Sequence, residues 1–244
     1  MWETEVDSQP LKFHLAGINN QNFIMRDETT GSWWQQVSGA AIQGALKGKQ
    51  LKQVFVDEIS FAVWKREHPN GRVLRPDEKY RAQYAPADWE NDIGKMRVVT
   101  PADPQDKLAP RELVIGLTVN GKSKAYPQAD LVKQQLTLDE LGGVPLFLVV
   151  GEDGQSVRAF ERNVDGRALE FFVKANATPW QMVDAETGSV WDFSGKAVSG
   201  PLAGRQLAKV ALLKDYWFDW KLYHPDTAVY SLGARLKMVQ YRER

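Results

Sequence analysis

Four groups of residues in this chain have types and spacings that could do chemistry. Gly116-Leu-Thr-Val-Asn-Gly121-Lys122-Ser123 satisfies the G-x-x-x-x-G-K-[ST] pattern of a phosphate-binding loop. Such a loop must leave a strand and open directly into a helix, whose N-terminal amides hold the phosphates. Here Leu117 and Val119 continue a strand, Asn120-Gly121 is a hairpin signal, and Lys124-Ala-Tyr-Pro127 cannot start a long helix. The pattern predicts a β-hairpin without a nucleotide. A second group is Trp64-x-x-x-His68-Pro69, which returns as Trp220-x-x-x-His224-Pro225. The spacing sets ring and imidazole on one helix face, with the histidine at the C-terminal end, where the helix dipole favours its cation. A ligand or base role needs a carboxylate or second imidazole that the spacing does not supply. Asp27 and Asp184 form a third group, since paired acids serve hydrolysis when about 5–10 Å apart. Each precedes Thr-Gly in a hairpin, where an Asx-type bond accounts for it.

The fourth group is aromatic: Trp33, Trp34, Trp191, Trp217 and Trp220 form either a groove for sugars or peptides or simply core. Trp217 and Trp220, three apart, suit a buried helix face. Trp33 and Trp34 are adjacent on a strand and point to opposite faces. Val190 stands where Trp33 has its counterpart, which makes Trp33 the best single candidate for a contact. The candidates for ligand or partner contact are therefore Trp33, Trp34, Trp191, His68 and His224. No catalytic, cofactor-binding or metal residue is expected.

These residues belong to a pattern that occurs twice. Asp27-Glu-Thr-Thr-Gly-Ser-Trp-Trp34 returns as Asp184-Ala-Glu-Thr-Gly-Ser-Val-Trp191, and the match runs on through Gly39/Gly195, Gly48/Gly204 and Leu51/Leu207 to the two His-Pro pairs. Backward it reaches Trp2/Phe160. The expected organisation is a partial first unit over 1–75, a charged, Pro-containing linker over 76–111, and a complete second unit over 112–244. Residues 114–160 have no counterpart ahead of the first unit. That leaves a partial duplication or a chain that is the back part of a longer protein, and the uncovered sheet edge favours the latter. Strands are expected at 11–17 and 21–26 around Asn19-Asn-Gln21, at 72–74, 113–119, 123–126, 145–150, 156–162 and 169–174. Helices are expected at 58–67 with Asp57 as N-cap, at 129–135 and at 215–223. The Gly-rich stretches at 39–48 and 195–204 read as structural loops. The class is α+β, mostly short antiparallel strands with a few short helices, built from two related units.

The 244 residues suffice for one large or two small domains. With 31 basic and 31 acidic residues the net charge is zero, which gives no support to a nucleic-acid partner. No stretch approaches the roughly 18 apolar residues of a membrane span, and the first residues are not a signal peptide. The absence of cysteine excludes disulfides, thiolate metal sites and cysteine nucleophiles. His14, His68 and His224 are the only imidazoles.

Val114-Ile-Gly-Leu-Thr-Val-Asn-Gly-Lys-Ser-Lys-Ala-Tyr-Pro127 resembles the opening motif of the bacterial domain-of-unknown-function family 3179. Gly142-Gly143-x-Pro145 is similar to that family's next landmark, and Asp-x-x-Thr-Gly-Ser-x-Trp, Gly200-Pro-Leu-Ala-Gly204 and Trp220-x-x-x-His224-Pro225 to its closing half. The resemblance implies a bacterial, cell-envelope or extracytoplasmic protein. Family members typically carry a Cys-x-x-Cys motif after Gly-Gly-x-Pro. This chain reads Leu146-Phe-Leu-Val-Val-Gly-Glu-Asp-Gly154 there and departs from that pattern. Two functions are compatible with these observations. One is a non-catalytic structural or binding module of a larger protein, partnered by other parts of that protein or by itself. The alternative is part of a thiol-dependent redox or metal-binding protein whose cysteine motif lies upstream.

Overall fold

The structure, a computed structural model, describes residues 1–19, 22–99, 103–175, 177 and 180–232. Most of the expected Asn19-Asn-Gln21 turn, a few residues of the 76–111 segment and the end of 112–244 lie outside the described residues. A hairpin, β1 (Glu5–Val6) and β2 (Gln9–Pro10), opens the chain. A four-stranded meander follows: β3 (Phe13–Asn19), β4 (Asn22–Asp27), β5 (Trp33–Gln35) and β6 (Ala41–Gln43). Then come α1 (Phe61–Glu67), a 3-10 turn (Glu78–Gln83) and α2 (Trp89–Lys95). The hairpin β7 (Leu113–Val119) and β8 (Lys122–Pro127) leads into α3 (Gln128–Gln134), β9 (Leu136–Leu141), β10 (Val144–Val150) and β11 (Val157–Glu161). A second small hairpin, β12 (Asn163–Val164) and β13 (Arg167–Ala168), precedes a second meander, β14 (Phe171–Val173), β15 (Gln181–Asp184), β16 (Val190–Asp192) and β17 (Ala197–Ser199). The described chain closes with β18 (Lys209–Val210), β19 (Leu212–Tyr216), α4 (Trp217–Tyr223) and β20 (Ala228–Val229). The fold is α+β, with mostly antiparallel strands in several small sheets and a few short helices.

The apolar run Val144–Val150 forms the central strand because both of its faces are buried. Alternation sends Phe147 and Val149 into one cluster with Phe160, Phe171, Met182 and Trp191, and Leu146, Leu148 and Val150 into another with Ile115, Leu117, Tyr126 and Leu131. β10 sits between β11 and β9, and β18 completes that sheet beside β11. The other large sheet runs β19-β7-β8-β20, its last pair parallel. The first meander has its own core of Val6, Leu11, Trp34, Ala41 and Leu51. Val63 of α1 is not part of that core. It is 1% exposed and packs into the cluster of Phe147 and Phe160.

Several elements differ from the sequence expectation. The first helix starts at Phe61, capped by the Ser60 hydroxyl, which accepts the Val63 N–H at 3.3 Å. Asp57 does not cap it, because Arg158 and Lys209 hold its carboxylate. Residues 72–74 form no strand, and Leu74 is 96% exposed. A strand needs a neighbour to pair with, as β20 has in β8. The stretch 39–48 contains β6, and 136–141 forms β9. Both were hidden by polar or glycine-rich composition. The exposed 76–111 segment contains α2, whose residues are not buried.

Candidate functional site

The two Asp-x-x-Thr-Gly-Ser-x-Trp segments make closely matching sets of bonds. In the β4–β5 turn, Gly31 takes φ 69°, a conformation that favours glycine, and the Asp27 carboxylate is buried. Its Oδ2 accepts from Trp34 Nε1 at 2.9 Å, Thr30 Oγ1 at 2.9 Å and Ser32 N at 3.1 Å. In the β15–β16 turn, Asp184 Oδ2 accepts from Trp191 Nε1 at 2.8 Å and Thr187 Oγ1 at 3.0 Å, while its Oδ1 accepts the Thr187 N–H at 2.6 Å. Burial pushes the Asp27 pKa up, but the bonds from Trp34, Thr30 and Ser32 outweigh it and hold the carboxyl below its ordinary value. The Ser32 and Ser189 hydroxyls accept from Leu46 N at 3.0 Å and Leu202 N at 2.9 Å, pinning the Gly-rich stretches to the turns. Trp34 and Trp191 are completely buried, so neither ring reaches a ligand at the surface.

Trp33 is 36% exposed on the sheet face opposite Trp34. His68 ends α1 with its ring 5.7 Å from that of Trp64. His224 stacks on Trp220 at 3.7 Å, its Nδ1 lies 3.0 Å from the Trp220 carbonyl, and burial lowers its pKa. Trp33, His68 and His224 thus stand in three different surroundings. The Gly116-to-Ser123 pattern folds as the β7–β8 hairpin, with Asn120 at φ 48° and Gly121 at φ 72°. Its Ser123 hydroxyl lies 2.8 Å from that of Thr118, across the two strands.

Two clefts gather polar groups. One, of about 320 Å³, runs between the first residues and β19, lined by Trp2, Asn22, Gln36, Glu58, Asp215 and Asp219 among others. The last two carboxyls face each other across one turn of chain. Burial, joined by the Asp219 charge, raises the Asp215 pKa far above the carboxylate range, and burial raises that of Asp219 as well. Burial and mutual repulsion thus favour the protonated form within this pair. The Asn22 side-chain amide donates to Asp219. The expected helix over 215–223 would carry both acids, whereas Asp215 lies in β19 and α4 begins at Trp217.

A second cleft, of about 690 Å³, is lined by Asp57, Glu67, His68, Arg158, Trp180 and Lys209 among others. Arg158 is 3% exposed and forms a fork with Glu67, both bonds 2.7 Å long. It also donates to Asp57 at 2.7 Å and stacks its guanidinium over Phe193. Lys209 meets the same Asp57 oxygen at 2.6 Å. Burial pushes the Asp57 pKa up, yet the bonds from Arg158 and Lys209 hold it below the usual value. The contacts among Asp57, Glu67, Arg158 and Lys209 span from 91 to 152 residues of sequence, which no local pattern reports. Among the described residues no group of three or more His, Cys, Asp or Glu side chains is arranged to hold a metal ion, and no helix is long and apolar enough to cross a membrane.

No curated protein and no solved structure matches the chain. The model of the family described as Protein of unknown function (DUF3179) matches residues 1–227, nearly the whole length, with the hairpin, the buried Asp–Trp turns and the Trp-x-x-x-His-Pro helices inside the matched span. The chain belongs to that family.

Proposed function

We propose that this chain is a non-catalytic structural or binding module of a larger bacterial protein, built from two related units. In this reading residues 2–74 correspond to 160–230. The observation that carries the reading is that the acids of both repeated turns and the buried Arg158 are fully engaged by partners within the protein. Asp27 and Asp184 accept an indole N–H, a backbone N–H and a hydroxyl each, and Arg158 is saturated by two carboxylates. The two-unit reading is supported by matched pairings. Trp2 bridges Gln53 as Phe160 pairs with Lys209, and Leu51 N reaches Gly39 O as Leu207 N reaches Gly195 O, both at 2.9 Å.

The test is Asp27→Asn beside Asp184→Asn. An amide turns an –NH2 toward donors, so a structural role predicts a loss of about 1–3 kcal/mol in denaturant unfolding for each. Unchanged stability in both variants would release these carboxylates for chemistry and overturn the reading.

A further inference from the structure

We propose that the exposed face formed by α1 and residues 72–74 docks a β-hairpin of the same build as β7–β8, supplied from outside these 244 residues. The proposal rests on the two-unit reading above. In the second half of the chain three pieces surround the β7–β8 hairpin. β19 pairs antiparallel with β7 from Leu212↔Leu117 to Tyr216↔Leu113. β20 pairs parallel with β8 at Ala228↔Lys124 and Val229↔Ala125, and Tyr230 N donates to Ala125 O at 2.8 Å. α4 lies across β7, with Trp220 so close to Gly116 that a Cβ there would stand 2.3 Å from the indole.

Among the described residues the first half contains the counterparts of all three pieces and no hairpin between the counterparts of β19 and β20. Residues 56–60 correspond to β19 and 72–73 to β20, yet neither belongs to a strand. Phe61 stands where Trp217 does, and it is 61% exposed against 3%. Leu74 stands where Tyr230 does, and it is 96% exposed against 7%; Val73 is 61% exposed. The orientation of the two helices agrees. Val63 of α1 faces the core of the second half, and its counterpart Asp219 of α4 takes a bond from Asn22 of the first half. Each helix therefore turns equivalent positions inward, which leaves Phe61 and Trp64 at the positions that Trp217 and Trp220 occupy over β7 and β8, although Trp64 stacks on Phe61 where Trp220 stacks on His224.

The occupant is defined by what the twin site holds. Its first strand runs antiparallel to 56–60 and carries glycine beneath Trp64, since any Cβ would meet the indole. Its second strand runs parallel to 72–73 and brings an apolar side chain over Leu74. Backbone pairing at both edges supplies affinity, and the glycine and apolar positions supply selectivity.

The probe is a labelled peptide with the sequence of residues 112–128, titrated into the full chain and followed by fluorescence anisotropy and amide exchange. Saturable binding is expected, with new protection at 56–60 and 72–74. Leu74→Asp in the chain, or Gly116→Val in the peptide, should each weaken binding by at least about tenfold. Leu74 is so exposed that its replacement leaves the fold intact. A second format fuses the same 17 residues ahead of Met1 through a flexible linker, so that effective concentration replaces intrinsic affinity. Failure of both formats to protect 56–60 and 72–74 overturns the proposal, as does protection there in the unliganded chain through a dimer, which would make a second copy the occupant. Either failure, with the Asp27→Asn and Asp184→Asn losses intact, leaves the module reading standing.

Discussion

α1 and α4 share the frame Trp-x-x-x-His-Pro and end alike, His68 N on Trp64 O at 2.8 Å and His224 N on Trp220 O at 3.0 Å. They are nevertheless held by opposite means. α4 is anchored by apolar contact: Trp217 and Trp220 are 3% exposed and pack with Val114 and Ala125 over β7 and β8. α1 is anchored by charge, through the Glu67 and Asp57 bonds to Arg158, and by the single buried Val63. The local motif determines the helix and its stop, while the neighbour determines how much it buries and by which force it is held. A semi-buried ionic anchor is sensitive to salt and pH, whereas an apolar contact carries no charge of its own, so the pH response of α4 comes from the carboxyls beside it.

The comparison is tested most severely at the indoles. Trp220→Ala should cost about 3–5 kcal/mol in denaturant unfolding, as large core truncations do. Phe61→Ser, three residues before Trp64 as Trp217 is before Trp220, should change stability by no more than about 0.5 kcal/mol. Equal losses would show that the two helices are packed alike. Next is Arg158→Ala, expected to cost about 3 kcal/mol because Asp57 and Glu67 lose their shared cation in a partly closed site. Amide exchange should then rise first at 61–67 and leave 217–223 protected. A uniform rise would mean that Arg158 serves the whole fold rather than the anchor of α1.

The legible part of this molecule was what lies close in sequence. The Asn120-Gly121 hairpin, the Asp-Thr-Gly turns and the apolar run of β10 each follow from a few neighbouring residues, and they overruled the phosphate-loop pattern. Long-range partners were not legible. Nothing near Asp57 reports Arg158, so an acid placed where a cap belongs was read as one. Nothing near Asp219 reports Asn22. Residues 72–74 have the composition of a strand and lack a neighbour to pair with. Of the contact candidates, Trp34 and Trp191 carry the same residue type as Trp33, and only strand alternation with the turn carboxylate decides which ring is hidden.

Gly116→Ala probes the contact that only α4 has. The added methyl meets Trp220 at 2.3 Å, and the cost should be about 1–3 kcal/mol, with α4 displaced from β7. Gly71→Ala is the partner variant, since its Cβ meets Trp64 at 2.4 Å. It should cost less, because the Trp64 ring has solvent to move into.

The smallest effect separates the helices by pH. Asp57, beside α1, has its folded pKa lowered once the bonds from Arg158 and Lys209 overcome burial. Its contribution is complete above the unfolded value of about 3.9 and is lost as pH falls through the folded one. Asp215, in β19 just ahead of α4, has its folded pKa raised by burial and by Asp219. Its contribution is complete below the unfolded value and is lost as pH rises through the folded one, where folding must bury a charge. α1 should therefore loosen in acid and α4 in base. Amide exchange at 61–67 and 217–223, corrected for intrinsic rates, should show the crossing between pH 3 and pH 9, on the order of a few-fold in each arm. Asp215→Asn combined with Asp219→Asn should remove the alkaline arm alone, since both buried carboxyls have raised pKa values and neutral amides have no charge to bury. Persistence of that arm in the variant would transfer the titration to a different group.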